Sequence, residues 1–231
     1  YTLSLHDALP ILISRTKKNF RIIPGIELSC DLNSEEVHIL GYFIDYENHS
    51  LKNYISVLRG ARWSRGVKIL QKLIDLGLNL PLGSILEASK ENNFIGRATI
   101  ARYLISFGYV ESINEAFDMY LDAGRPAYVE RYKLKVSEAI NLIHSVGGLS
   151  VLAHPGLLKN KDAVTLCIQK GIMGIECRHT KHTPKDIEYF SKICHDNQLI
   201  STGGSDYHGD EEILGTITSD VDLIPRFKER L

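Results

Sequence analysis

Five acidic and imidazole side chains stand near the ends of predicted strands, where they could bind metal ions. Glu27 lies on a strand after a Pro-Gly pair, His38 lies near the start of the next strand, and His154 directly follows the apolar run VLA. Asp206 and His208 follow a Gly-Gly-Ser turn. Neutral imidazole nitrogens and carboxylate oxygens suit zinc, iron and manganese. Closely spaced ions of this kind polarise a phosphoryl group and lower the pKa of a bound water toward about 7, so the pattern predicts phosphoester chemistry.

Each of these residues has a simpler explanation when it is taken alone. His38 could be a partly buried histidine with satisfied hydrogen bonds, and His154 could belong to a turn. Glu27 could be a solvated loop acid. Asp206 and His208 are harder to explain in this way, because a simple turn does not need both. The joint placement of all five residues at strand ends favours the metal site.

An alternation of helices and strands after Val136 indicates how these side chains are positioned. Helices are predicted over 137–146, 162–170 and 183–195, and strands over 149–153, 172–177 and 199–202. Repeats at this spacing are typical of an α/β fold, with parallel strands covered by helices. Functional groups collect at the C-terminal strand ends of such folds. We therefore expect the candidate ligands at equivalent ends of parallel strands.

The hydrophobic pattern divides the chain into three parts. Residues 51–135 show helical stripes without strand signals, which predicts an inserted helical subdomain. Residues 14–50 and 136–231 carry the strands and form the main domain. Residues 1–13 lack the basic region and cleavage site of a signal peptide and are predicted to be a non-native leader. The alternative for this segment is an ordinary N-terminal strand or helix.

Composition gives limited information on partners. A net charge of −1 over 231 residues provides no overall field to hold a nucleic-acid backbone. The four cysteines form no C-x-x-C pair, which predicts reduced thiols in a cytoplasmic protein. No apolar run approaches the length that crosses a bilayer, so we expect no membrane association. The sequence indicates no stable protein partner.

Seven consecutive segments resemble motifs of the PHP (polymerase and histidinol phosphatase) family. They are IIPGIELSC, VHILGY, IGRATIARYL, AGRPAYV, GGLSVLAHPG, GIEC and TGGSDYHG. They occur in the family's order from Phe20 to the end of the chain. TGGSDYHG and VLAHPG are the most specific of these segments, and GIEC is the least specific. The resemblance is to the branch that includes nucleoside 3′,5′-bisphosphate phosphatases and 5′–3′ exoribonuclease-like enzymes.

The resemblance implies a distorted (β/α)7 barrel with a helical insertion and a cluster of two to three divalent cations, manganese, iron, zinc or magnesium. Glu27 would bridge two cations. The other ligands in this chain would be His38, His154, Asp206 and His208. Basic side chains that meet the substrate phosphate in the family would correspond to Arg62, Arg65 and Arg97. The alternative for these arginines is a solvated helix face.

The chain departs from the family pattern in two respects. The opening H-x-H pair, the Asp after it and a T-D-H-D-like strand end do not occur in this sequence. The first βα unit is therefore predicted to be missing, which leaves open whether the fragment is active. Thr99 also stands where a phosphate-contacting histidine is usual. His179 and His182 could line the substrate site, but a polar loop is the preferred interpretation.

The favoured function is hydrolysis of a phosphomonoester, or of a nucleotide or oligonucleotide phosphoester, through metal-bound hydroxide. The substrate would be a small phosphorylated metabolite, a nucleotide or a short oligonucleotide. One alternative is a catalytically incomplete PHP module that binds metal or a partner without turnover. Another is an amidohydrolase-type barrel, which is disfavoured because the sequence has no pattern for a carboxylated lysine.

Overall fold

The computed structural model describes residues 22–90, 95–207 and 215–219. Within these ranges the chain divides into two compact units. The first unit contains the described residues up to Leu51 and from Lys133 onward, and the second is Lys52–Tyr132. The predicted leader, residues 1–13, and the predicted ligand His208 lie outside the described residues.

The first unit is built on a mixed sheet to which the described residues contribute six strands. In chain order these are β1 (Gly25–Leu32), β2 (Glu35–Tyr42), β3 (Leu134–Lys135), β4 (Leu149–Leu152), β5 (Gly174–His179) and β6 (Ile200–Gly204). They lie side by side in the order β3-β1-β2-β4-β5-β6. Strands β4, β5 and β6 run parallel, as β3 does beside β1, whereas β2 is antiparallel to both of its neighbours.

Seven α-helices occur in the described part of the chain. They are α1 (His49–Asp75), α2 (Leu82–Lys90), α3 (Arg97–Ser106), α4 (Ile113–Ala116), α5 (Val136–Ser145), α6 (Asp162–Gln169) and α7 (Pro184–Asp196). A π-helical turn, Phe117–Leu121, follows α4, and a 3₁₀ turn, Pro155–Leu157, follows β4. None of these helices combines the length and apolar character needed to cross a bilayer. The predicted mixed α/β fold is confirmed, but the (β/α)7 barrel is not, since no described strand pairs beyond β3 or β6.

Strands β1 and β2 form an antiparallel hairpin, so one sequence-based prediction is wrong. Glu27 and His38 do not lie at equivalent ends of parallel strands. Only Asn33 and Ser34 separate the two strands, with φ of 52° and 70°. A two-residue turn with positive φ at both positions matches the twist of a hairpin, and parallel strands need a far longer connection.

The two faces of this hairpin differ in burial, which leaves one face available for function. Leu28 and Ile39 are buried and share a face with Gly41. Helix α5 packs against β1, β2 and β4, and a side chain on Gly41 would meet Ile143 of α5 at 2.9 Å. The alternating residues of the other face are partly accessible, as expected for strands with one core-facing side. That accessible face carries the candidate ligands of β1 and β2.

The described part of the second unit is helical and has a hydrophobic core of its own. Contacts among helices α1 to α4 and the segment that follows them bury this core. Because its apolar residues recur at helical spacing, each helix presents one apolar side to the others. The largest fully buried side chains of this core are Ile69, Leu70, Leu73, Ile95, Ile100, Leu104 and Leu121.

Two glycines of α1 allow a matched test of packing in this helical unit. A Cβ on buried Gly66 would lie 2.5 Å from the carbonyl oxygen of Ile95, whereas a Cβ on exposed Gly60 would meet open space. We expect Gly66→Ala to lower the free energy of unfolding by about 1–3 kcal/mol through overpacking. Gly60→Ala should raise it by about 0.5–1 kcal/mol, because alanine is the better helix former. Chemical denaturation measures both changes, and stabilisation by Gly66→Ala would contradict the close approach.

Candidate metal site

Glu27, His38 and His154 converge on one point of the first unit. The Oε1 atom of Glu27 lies 2.7 Å from Nδ1 of His38 and 3.5 Å from Nε2 of His154. One potential ligand atom from each residue lies within 4.8 Å of the other two. The two imidazole rings meet edge to face with their centroids 5.0 Å apart. The structure thus brings together three of the five predicted ligands, from β1, from β2 and from the segment after β4.

The register of the hairpin explains how Glu27 meets His38. Glu27 pairs with Leu40, and Ser29 pairs with His38. Because successive side chains alternate between faces, all four of these side chains project from the same face of the sheet. Glu27 and His38 are diagonal neighbours across the hairpin, a distance that long side chains span.

The second ring nitrogen of His38 faces polar side chains outside the cluster. Its Nε2 lies 3.3 Å from Oγ of Ser29 and 3.4 Å from Oε1 of Glu36. A carboxylate can only accept a hydrogen bond, so the contact with Glu36 requires the proton to be on Nε2. In a neutral ring the lone pair is then on Nδ1, which points toward Glu27. Outer contacts of this kind fix the ring orientation of metal-binding histidines.

His154 is held at the end of β4 in an unusual backbone conformation. Its φ of 29° lies in the left-handed region, which is costly for a residue other than glycine. The His154 backbone N–H donates to Oε2 of Glu176 at 2.8 Å. The preceding N–H, from Ala153, donates to the backbone carbonyl of His38 at 3.0 Å. These bonds tie the His154 backbone to β2 and β5, which offsets the cost of its conformation.

His182 braces the turn after His154. Its Nε2 accepts the backbone N–H of Gly156 at 3.0 Å, and its Nδ1 donates to the carbonyl oxygen of Cys177 at 2.9 Å. Both ring nitrogens are therefore used in hydrogen bonds, and neither is available to a cation. A side chain on Gly156 would also collide with the His182 ring. The geometry agrees with the interpretation of His182 as part of a polar loop.

The charges of the cluster reinforce one another. The rings of His154 and His38 hold the pKa of the Glu27 carboxyl well below its usual range, so Glu27 is an anion at neutral pH. The same carboxylate raises the pKa of His38. In the cation-free protein, protonation of His38 is therefore favoured by the negative charge beside it. A bound cation would take the place of that proton, because metal ligation requires neutral imidazole.

The residues of the cluster fit a divalent cation. Within the described residues, the buried Nδ1 atom of His38, which faces Glu27, has no hydrogen-bond partner. Nδ1 of His38 approaches Oε1 of Glu27 to 2.7 Å, but the contact does not have the alignment of a regular hydrogen bond. Two imidazole nitrogens and a carboxylate form a donor set that suits zinc, iron or manganese better than magnesium.

Asp206 lies near this cluster but contacts a different histidine. Its Oδ2 is 3.8 Å from Nε2 of His179, and the His179 ring centroid is 5.5 Å from that of His154. Asp206 has a φ of 53°, again in the left-handed region. Among the described residues, the group that meets the geometry for a shared cation does not include Asp206. Its role as a metal ligand stays a prediction.

Sequence reasoning gave no role to Glu176 of β5 and interpreted His179, which also lies in β5, as part of a polar loop. Both are almost completely buried, and burial raises the pKa of Glu176 to about 7. Burial also lowers the pKa of His179 to about 4. A side chain on Gly204 of β6 would lie 2.7 Å from Oε1 of Glu176, which explains one glycine of the TGGSDYHG segment. An acid within a buried parallel strand was the available signal, because such strands are otherwise apolar.

The three candidate arginines lie in the helical unit, and two of them make contacts within it. Arg65 donates from Nε to the carbonyl oxygen of Val129 at 2.7 Å. Arg97 Nη1 lies 3.4 Å from Oδ1 of Asp122, and its guanidinium stands over the Phe117 ring. These contacts are sufficient to explain the two residues structurally. Arg62 is exposed on α1, as a solvated helix face predicts. Binding of a substrate phosphate by these arginines stays a prediction.

Comparison with known proteins places the chain in a family. No protein-family profile matches it. It is 31% identical over 203 residues to a 5′–3′ exoribonuclease from Haemophilus influenzae, a match that covers 85% of this chain and 73% of the relative. The chain belongs to the PHP family of phosphoesterases. The sequence-based prediction of a PHP phosphoesterase, a hydrolase of phosphoester bonds, is thereby confirmed.

Other relatives and solved structures support membership of the PHP family. A 3′,5′-nucleoside bisphosphate phosphatase from Chromobacterium violaceum is 26% identical over 217 residues, which cover 90% of this chain and 75% of that protein. A metal-dependent phosphoesterase from Bifidobacterium adolescentis superposes with a TM-score of 0.71 at 26% identity, over 90% of this chain and 76% of the other. An amidohydrolase from Chromobacterium violaceum with bound sulfate superposes with a TM-score of 0.67 at 27% identity. The match covers 86% of this chain and 71% of that protein.

Proposed function

We propose that this PHP chain hydrolyses a phosphoester of a nucleotide or short oligonucleotide with the help of divalent cations. The observation that carries the proposal is the convergence of Glu27, His38 and His154, in which the buried Nδ1 of His38 has no hydrogen-bond partner among the described residues. The relatives named as a nucleoside bisphosphate phosphatase and exoribonucleases support a nucleotide-type substrate. A small phosphorylated metabolite is the broader form of the same proposal.

We propose Glu27 as the bridging ligand, because a carboxylate has two oxygens to share between cations. His38 and His154 would each supply one nitrogen, and Asp206 and His208 would complete the set within this chain. The cations, when bound, would polarise the phosphoryl group and make water a better nucleophile at neutral pH. Manganese, iron and zinc fit the nitrogen-rich set, and two to three ions would fit the number of ligands proposed.

The protein's own groups would prepare the site. Ser29 and Glu36 keep Nε2 of His38 occupied, so that Nδ1 faces the cluster. Glu176 holds the backbone of His154, and so fixes where that ring enters the site. Preorganisation of this kind lowers the entropy cost of binding cations and substrate in a productive geometry.

The larger architecture is part of the proposal. We propose that residues 14–50 and 136–231 form the distorted (β/α)7 barrel of the family and that residues 51–135 are its helical insertion. The three parallel strands β4, β5 and β6, with helices between them, support a barrel of this type. Arg62, Arg65 and Arg97 would then be candidates to neutralise the substrate phosphate.

The proposal is tested by metal content and substrate hydrolysis of the full-length protein. Mn²⁺-loaded protein is assayed on a nucleoside 3′,5′-bisphosphate, a 5′-phosphorylated RNA oligonucleotide, a ribosyl cyclic phosphate and p-nitrophenyl phosphate. We expect turnover of at least one nucleotide-type substrate, and a loss of about a hundredfold or more in His154→Ala and Asp206→Ala. Activity that neither change reduces would contradict the proposed site.

A catalytically incomplete module is the second candidate function. It predicts bound manganese without hydrolysis of any of the four substrates. The same experiment separates the two functions, because metal content and turnover are measured on the same sample. Metal binding that is lost in His154→Ala, in a protein that never turns over substrate, would favour the incomplete module.

A further inference from the structure

His179 is a buried histidine that the proposed ligand set leaves without a role. Its side chain is fully inaccessible to solvent, with a relative exposure of 0%. Its ring lies between those of His154 and His182, at centroid distances of 5.5 and 5.3 Å. Burying an imidazole removes its hydrogen bonds to water, so a buried ring normally has polar partners for both nitrogens. Nδ1 of His179 has such a partner in the backbone of Lys181, and the nearby acceptor for Nε2 is Asp206.

A hydrogen bond from the backbone of Lys181 determines which ring nitrogen of His179 carries the proton. The backbone N–H of Lys181 donates to Nδ1 of His179 at 3.2 Å. A nitrogen that accepts a hydrogen bond must hold a lone pair, so the proton of the neutral ring is on Nε2. A protonated Nε2 can donate a hydrogen bond, but it has no lone pair for a cation. His179 is therefore a donor at this position and not a further metal ligand.

A carboxylate acceptor lies near the Nε2–H of His179. Oδ2 of Asp206 lies 3.8 Å away, and Nε2 has no hydrogen-bond partner within the described residues. The gap exceeds the usual N–H···O length by about 0.9 Å, which a small rotation of the Asp206 side chain removes. Asp206 has a left-handed backbone, and its carboxylate lies beside the His179 ring, whose centroid is 5.5 Å from that of His154. The neighbouring charge of Asp206 also tends to raise the pKa of His179, opposing the effect of burial.

We propose that His179 is a positioning residue for Asp206. Its Nε2–H donates to Oδ2 of Asp206 and so orients that carboxylate for binding to a cation of the cluster. The inference rests on the proposed function, because it takes Asp206 as a ligand. Partners of this kind orient a ligand without touching the metal, and their loss typically weakens metal affinity by about 10–100-fold.

The test measures Mn²⁺ affinity by titration calorimetry on the full-length protein, with three substitutions at one position. His179→Leu removes the donor, and we expect its Mn²⁺ dissociation constant to rise about 10–100-fold. His179→Gln carries an amide N–H near the original Nε2 position, and we expect affinity close to that of the wild type. His179→Asn is too short to reach Asp206 and should behave like the leucine variant. If the leucine variant does not fold, His179→Asn takes its place in the comparison.

A double-mutant comparison separates positioning from a general structural effect. In an Asp206→Ala background, His179→Leu should not weaken Mn²⁺ binding any further, because the residue it positions is absent. Equal weakening in both backgrounds, or a glutamine variant as weak as the leucine variant, would overturn the inference. Unchanged affinity in His179→Leu would also overturn it while leaving the proposed function intact. A wild-type protein that binds no Mn²⁺ would overturn the proposed function, and this inference with it.

Discussion

Glu27→Gln is expected to remove most cation binding and to reduce kcat/KM about a thousandfold, equivalent to about 4 kcal/mol of transition-state stabilisation. Glutamine keeps the size and shape of glutamate but loses the negative charge and one of the two acceptor oxygens. Glu27 is the centre of the cluster, since both His38 and His154 lie within 3.5 Å of its Oε1. The measurements are metal content by mass spectrometry and steady-state kinetics on a nucleotide substrate.

Glu36→Gln provides the matched control for this experiment. Glu36 is the other acid that contacts His38, but it does so at Nε2, on the side away from Glu27. Its loss should weaken the orientation of the ring and reduce activity about tenfold, the lower limit for outer contacts. Equal losses in the two variants, or full metal content in Glu27→Gln, would show that Glu27 is not a ligand.

Phe190→Ala is expected to lower the free energy of unfolding of the first unit by about 3–5 kcal/mol. Phe190 is fully buried in α7, and truncation of a buried phenylalanine leaves a cavity that its neighbours cannot fill. The His182 ring lies 5.4 Å from it, so the variant also loosens the residue that braces the turn after His154. Chemical denaturation gives the stability, and metal titration of the folded variant shows whether the brace is affected.

The neighbouring residue Tyr189 is the control for Phe190. Its side chain is 49% exposed, and its ring contacts Phe190 at a centroid distance of 5.3 Å. Tyr189→Ala should therefore cost at most about 1.5 kcal/mol, the value of one aromatic pair. A loss as large as that of Phe190→Ala would mean that contact between the two rings, and not burial, accounts for the stability.

Helix α7 shows what the sequence determines locally. The helix was predicted over 183–195, and its start is confirmed, since Oγ1 of Thr183 accepts the backbone N–H of Asp186 at 3.2 Å and Pro184 is the first helical residue. The cap is a contact between residues three apart, so its formation depends on little else. The start of α5 was predicted less well. A helix was predicted over 137–146, but it begins one residue earlier, at Val136, after Lys135.

The hairpin of β1 and β2 shows what the sequence left undetermined. Its turn has no glycine, although both Asn33 and Ser34 adopt positive φ, which serine rarely does. Tertiary packing of the strands overrides the preference of serine for negative φ. A local sequence pattern contains no information on that packing. Glu27 and His38 were nevertheless identified as candidate ligands. A carboxylate and an imidazole suggest metal binding by their chemistry alone, even though the relative direction of their two strands was predicted wrongly.

The predicted site was incomplete for a different physical reason. Glu176 lies within the predicted strand 172–177, where it was given no role, and His179 lies in the segment that was interpreted as a polar loop. In the structure both side chains are buried beside the cluster. The burial of a polar residue depends on what packs over it, namely β4, β6 and the His154 turn. Those neighbours come from other parts of the chain and are not visible in the segment itself.

The numbers of residues that separate Glu27, His38 and His154 along the chain indicate how far the length of the helical unit could change. Glu27 and His38 are 11 positions apart in the sequence, while His154 follows Glu27 by 127 positions. Closing the longer loop costs about 2 kcal/mol more conformational entropy than closing the shorter one. Because this cost grows only logarithmically, doubling the intervening chain would add about 0.6 kcal/mol. Changes in the length of residues 52–132 should therefore cost little in chain entropy, and they leave Glu27 and His38 on the hairpin able to meet His154.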